Sequence, residues 1–130
     1  MASVEFTDET VILARREVLA AAVSDRSRWV AWWPDLEVAV VLDQGRTGMR
    51  WSVAGPLVGT SEVVLVEQQD AVLVRYALWA DPTEPGSRTT PRRIPDSPRG
   101  RRELGSLQRR YLLAWKRTVW ALKDEFEAGS

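Results

Sequence analysis

Three tryptophans stand within five residues, Trp29, Trp32 and Trp33, and Pro34 follows directly. Trp32 lies three positions beyond Trp29, so those two share a helical face while Trp33 points elsewhere. Aromatic residues at this density do one of two things. They anchor short helices on a sheet through their large buried area, or they line an apolar ligand cavity. Two tyrosines, Tyr76 and Tyr111, add a phenol each. A phenol in an apolar interior needs a hydrogen-bond partner, and either one can hold a polar ligand group. Other chemistry is scarce. The chain has no cysteine and no histidine, which excludes thiolate chemistry and weighs against zinc, haem and any Ser-His-Asp arrangement. Asp25, Asp35 and Asp43 read as turn and cap residues, and Glu62 alternates outward on its strand. GPLVG and GRTG lack the pattern of a phosphate-binding loop. No catalytic set, metal site or cofactor is expected from these residues. An enzyme built on them would have to use Tyr76, Tyr111 or an inward carboxylate as its acid or base.

The elements that must position these residues follow from periodicity. Leu104, Leu107, Tyr111, Trp115, Thr118, Leu122 and Phe126 recur at steps of three or four, predicting one amphipathic helix over 101–127. Arg102, Arg109, Lys116, Lys123 and Glu127 fall on its opposite side, Trp120 falls off the apolar stripe, and Gly129 reads as the stop. Segments 4–13, 36–43, 47–55, 57–68 and 71–80 read as strands, the last four joined by connections short enough for an antiparallel meander. Two short helices, over 17–23 and 28–32, separate the first two strands, and Pro34 ends the second. Met49, Trp51 and Val53 share a parity with Val63 and Leu65 and with Val74, Tyr76 and Leu78, whereas Arg50 and Arg75 fall outward.

One domain over 1–130 is expected at this length. Residues 81–100 carry five prolines, two glycines and four arginines, and read as an exposed, mobile loop. Charge is uneven. Residues 1–85 hold seven arginines against thirteen acidic residues, and 86–117 hold ten basic against two acidic ones. Such a segment is a solvated face or a contact for an anionic membrane surface; a nucleic-acid partner is not expected. No apolar run reaches the length of a membrane span and no signal-peptide core opens the chain, so a cytoplasmic location is expected.

The strand, the two short helices ending in RWVAWWP (28–34), the run WSVAGPLVGTSEV (51–63) and the segment KRTVWALKDEFE (116–127) resemble the START-like, or SRPBCC, superfamily. The likeness is to its small actinobacterial members, described as polyketide cyclase/dehydrase and lipid transport proteins, and covers the chain except 81–100. Two features depart from that subgroup: Arg15-Arg16 stands where proline pairs are common, and five strands are legible rather than six or seven. The resemblance implies an α+β helix-grip fold, with a curved antiparallel sheet wrapped around the long C-terminal helix and two short helices near the N-terminus. It also implies a cavity between the concave sheet face and that helix, and hence a hydrophobic small-molecule ligand such as a lipid or polyketide. The alternatives are an enzyme of the cyclase/dehydrase type, or an interaction domain with a filled core. Combined with the inward parity, the cavity would be lined by Trp51, Val53, Val63, Leu65, Val74, Tyr76 and Leu78 from the sheet and Leu107 and Tyr111 from the helix, with Trp33 closing one end. No Arg or Lys lies on the inward strand parity, so a phosphorylated ligand is not expected.

Overall fold

The structure, a computed structural model, describes residues 2–128; Gly129, the expected helix stop, lies outside them. Strand β1 (Val4–Ile12) is followed by helices α1 (Arg16–Val23) and α2 (Arg26–Trp32). Strands β2 (Glu37–Asp43), β3 (Gly48–Ala54), β4 (Leu57–Gln68) and β5 (Ala71–Pro82) come next, and helix α3 (Pro98–Ala128) ends the described chain. The sheet order is β1-β5-β4-β3-β2, antiparallel throughout. β1 and β2 are therefore opposite edges, and α1 and α2 carry the chain from one to the other. The meander then returns so that β5 closes against β1, the sheet and long helix together making the helix-grip arrangement expected from the sequence.

Alternation fixes which side of the sheet is covered. Met49, Trp51, Val53, Val63, Leu65, Val74, Tyr76 and Leu78 are buried, whereas Arg50 pairs with Glu62 and Arg75 with Glu9 on the outer face. α1 and α2 cover the β3–β4 side, with Trp29 set edge-on against Trp51 at 5.6 Å. α3 covers the β1–β5 side. Its 31 residues span about 46 Å.

The helix is rotated slightly from the expected phase. Val119, not Thr118, is the fully buried residue between Trp115 and Leu122, and Thr118 is only half-buried. Lys116, Lys123 and Glu127 accordingly lie along β1 rather than on the opposite, outer side. Lys116 pairs with Asp8, Lys123 Nζ donates to the Val11 carbonyl at 2.8 Å, and Glu127 accepts from the Leu13 amide at 2.8 Å. Lys123 and Glu127 thereby occupy backbone groups at the end of β1 that an edge strand otherwise leaves open.

The Pro/Arg-rich connection is shorter than 81–100, because β5 runs on to Pro82 and α3 begins at Pro98. It is also tethered: Thr83 bridges Pro91, the Arg92 amide donates to the Pro82 carbonyl, and Gly55 donates to the Arg88 carbonyl at 3.0 Å. Arg92 is paired with Glu103 and Arg88 with Glu37, while Arg93 is exposed. Limited trypsin digestion is expected to cut first after Arg93, since nicking follows exposed, unanchored chain. A first cut inside the β-meander would contradict this order of stability.

Gly48 opens β3 at a φ of +133°, where a Cβ would lie 1.9 Å from the Val63 carbonyl oxygen. Only glycine fits both the backbone angle and the approach of β4. Gly48→Ala is expected to cost about 1–3 kcal/mol, the range for a residue forced into a sparsely populated conformation, measured by urea unfolding. An unchanged midpoint would mean that β3 re-registers freely.

Candidate functional site

The residue before a proline is driven out of the helical region. Trp33 shows this directly: at φ −132° and ψ 72° it leaves α2 and turns its indole inward ahead of Pro34. The turn sets Trp32 and Trp33 edge to face at 5.7 Å and brings Trp33 to 4.9 Å from Trp51. Asp35 follows on the same turn and faces α3. Across the gap, α3 presents Arg110, Tyr111, Ala114, Trp115 and Arg117, and β5 supplies Tyr76 from below. Between them is a cleft of about 230 Å³. A second groove, about 350 Å³, continues along the α2–α3 seam, sharing Trp32, Pro34, Ala114 and Arg117. The bidentate Arg28–Glu125 pair stands at its far end. Alanines at 31, 114 and 121 leave the seam open where larger side chains would close it.

Hydrogen bonding orients the inner wall. Tyr76 stacks on Trp115 with ring centroids 4.0 Å apart and planes 10° apart. Its hydroxyl receives the Trp33 indole N–H at 3.3 Å and the Ser61 hydroxyl at 2.8 Å. A phenol that accepts two bonds still has its own proton to donate. Trp115 donates its indole N–H to Asp8 Oδ2 at 3.1 Å, and Asp8 also receives Thr10 and Lys116. Asp8 is the inward carboxylate of β1; it is occupied by these partners and lies outside the cleft lining.

The mouth is charged. Asp35 Oδ2 receives the Tyr111 hydroxyl at 3.0 Å and Arg110 at 2.5 Å, while the Arg110 guanidinium lies 5.3 Å from the Tyr111 ring centre. Burial, then the adjacent Asp35 carboxylate, pushes the Tyr111 phenol well above its ordinary range. Burial also pushes Tyr76 up, against the hydrogen bonds from Ser61 and Trp33. Both phenols are therefore neutral hydroxyl groups at physiological pH.

Of the residues expected to line a cavity, Trp33, Tyr76 and Tyr111 come together at this cleft. Trp51, Val53, Val63, Leu65, Val74 and Leu78 are at most 3% exposed and interlock beneath it. Leu107 lines a separate groove beside the 83–92 segment. The strand parity holds no inward cation, but the helix supplies two, Arg110 and Arg117, to the mouth. Trp32, Asp35, Ala114 and Trp115 also line the cleft. Signals for some of these were present: Asp35 stands two residues beyond Trp33, and Ser61 shares the parity of Val63. Among the described residues, no group of three or more Asp or Glu is placed to hold a metal ion, and no helix is long and apolar enough to cross a membrane.

No family model matches the chain, and no curated protein matches it. Solved structures match by shape. The Aha1 dimer of Colwellia psychrerythraea aligns over 98% of this chain and 98% of its own, with a TM-score of 0.60 at 14% identity. TTHA0849 from Thermus thermophilus aligns over 97% and 99%, with a TM-score of 0.53 at 14% identity. A START superfamily protein from Mycobacterium smegmatis aligns over 97% and 99% at 13% identity, but its TM-score of 0.48 is too low to bear weight. At such identities the likeness is one of fold alone, and function has to be argued from the site.

Proposed function

We propose that the chain is a binding protein for a small, largely apolar molecule held in the α2–α3 cleft. The observation that carries this reading is the cleft wall itself: Trp32, Trp33, Tyr76, Tyr111 and Trp115, drawn from three separate parts of the chain, converge on one cleft. Concave apolar walls with a few placed polar groups are how proteins hold small molecules. The volume of about 230 Å³ favours a compact ligand of one or two rings, or the end of a longer one continuing into the second groove. The Tyr76 proton suits a hydroxyl or carbonyl oxygen at the inner end.

Titration with flat aromatic and short-chain fatty compounds is expected to quench or shift tryptophan emission, because three of the lining rings are indoles. Tyr76→Phe should weaken a carbonyl-bearing ligand by about 0.5–1.5 kcal/mol, the net worth of one neutral hydrogen bond, and leave a pure hydrocarbon unaffected. Emission unchanged by every compound in an intact fold would favour the filled-core interaction domain instead.

A membrane partner rests on a different surface. Five of the ten bases in 86–117 are tied in ion pairs: Arg88, Arg92, Arg101, Arg110 and Lys116. The outward side of α3 still carries Arg99, Arg102 and Arg109 beside exposed Leu113 and Trp120. A basic face with apolar residues suits weak attachment to anionic lipid. Co-sedimentation with phosphatidylserine-containing vesicles is expected at low salt and is expected to fade at 0.5 M salt, roughly where the screening length falls to a few ångströms. Equal sedimentation with neutral vesicles would leave the charge as a solvated face.

A further inference from the structure

We propose that the molecule held in the α2–α3 cleft is an amphipathic carboxylate, received by Arg117; this rests on the binding reading above. Arg117 lines both the cleft and the groove that continues it, so this residue stands where the two compartments join. The neighbouring cations are committed. Arg110 is fixed to Asp35 at 2.5 Å, and Arg28 is held by Glu125 through two bonds of 2.9 and 2.8 Å. Among the described residues, no ion pair, hydrogen bond or ring contact engages Arg117.

Charge selects the sign of the ligand. The cleft lining holds two guanidinium groups and one carboxylate, and that carboxylate is already taken by Arg110 and Tyr111. An aromatic wall alone would also suit a quaternary ammonium group. Here the rings are engaged chiefly with one another: Tyr76 and Trp115 stack, and Trp32 stands roughly perpendicular to both Trp33 and Trp115. The surplus positive charge opposes a cation further. An anion is favoured, and a single free guanidinium matches the planar, two-oxygen edge of a carboxylate. The ligand then spans the site, its apolar body against Trp32, Trp33 and Trp115, its acid group outward at Arg117.

Calorimetric titration of the full chain with three probes sharing one ring system tests this: 2-naphthoate, 2-naphthamide and a 2-naphthyl-trimethylammonium salt. At low salt 2-naphthoate is expected to bind about fivefold tighter than the amide, the modest preference of a solvent-exposed but bidentate pair. Arg117→Gln should erase that preference without changing amide binding. Arg102→Gln, which removes an equal charge from the outer face of α3, should leave it intact. Equal affinity of acid and amide, preference for the ammonium salt, or an equal effect of both substitutions overturns the carboxylate proposal while the binding reading stands. Failure of all three probes to bind the unsubstituted chain overturns the binding reading, and this proposal with it.

Discussion

Replacing Trp115 by alanine is expected to destabilise the protein by about 3–5 kcal/mol, the range for large aromatic truncations in a core. That is a large share of the stability of a domain of this size. Trp115 is 4% exposed and does three things from one position. It covers Tyr76 with a stacked face, stands perpendicular to Trp32 with ring centroids 6.4 Å apart, and satisfies Asp8 with its indole N–H. Alanine would leave a void over β5 and remove the N–H that Asp8 accepts, leaving that buried carboxylate to Lys116 and Thr10. Trp120 is the internal control. It is 55% exposed, with only a Lys116 ammonium 5.9 Å from its ring centre, so Trp120→Ala is expected to stay within about 1 kcal/mol. Chemical unfolding of the two variants side by side decides the matter. A Trp120→Ala protein as unstable as Trp115→Ala would mean that α3 grips the sheet by a different face.

The contrast between these two tryptophans was legible from spacing, and the neighbouring ambiguity was not. From Trp115, a step of three reaches Thr118 and a step of four reaches Val119, and both lead on to Leu122. Helical periodicity alone permits either path. The outcome is set by where the partner lies. β1 sits against the side bearing Val119, Lys116 and Lys123, while Thr118 faces the open seam with α2. That asymmetry comes from strand order, which brings β1 beside β5 through a pairing of distant segments that no local pattern records.

The strands were readable because their period is two and one face is buried, so Trp51, Val63 and Tyr76 announce their side of the sheet. The cleft was harder. Parity says which side chains face inward; it does not say which of them cover one another. Trp51 faces inward but is covered by Trp29 and Trp33, and Leu78 is likewise fully buried, so they contribute core rather than cavity wall. Asp35 was legible as a turn residue, which it is. Its second role, holding Arg110 and Tyr111, depends on chain 75 and 76 residues away. Alanines carry the least signal of all, because a small side chain matters here for the space it leaves.

Ala114 turns that last point into the sharpest test of the site. It lines the cleft and its continuation, on the side of α3 facing the α2 seam, and is only half-buried. A phenylalanine there would project into open space rather than into packed core, so the usual overpacking cost does not apply. The unfolding midpoint of Ala114→Phe is expected to stay within about 0.5 kcal/mol of the parent, as for substitutions away from packed features. Ligand binding should fall by tenfold or more, because the new ring takes the volume between Trp32 and Tyr111 that the ligand needs. Ser106→Phe, on the exposed outer side of the same helix, adds the same ring and should leave binding unchanged. The two variants are compared by calorimetric titration with whichever aromatic probe binds the parent best. If Ala114→Phe binds as the parent does while remaining folded, the ligand does not occupy the α2–α3 cleft. The alternative would then be an apolar ligand that parts α3 from the sheet, which would require Trp115 and Tyr76 to separate.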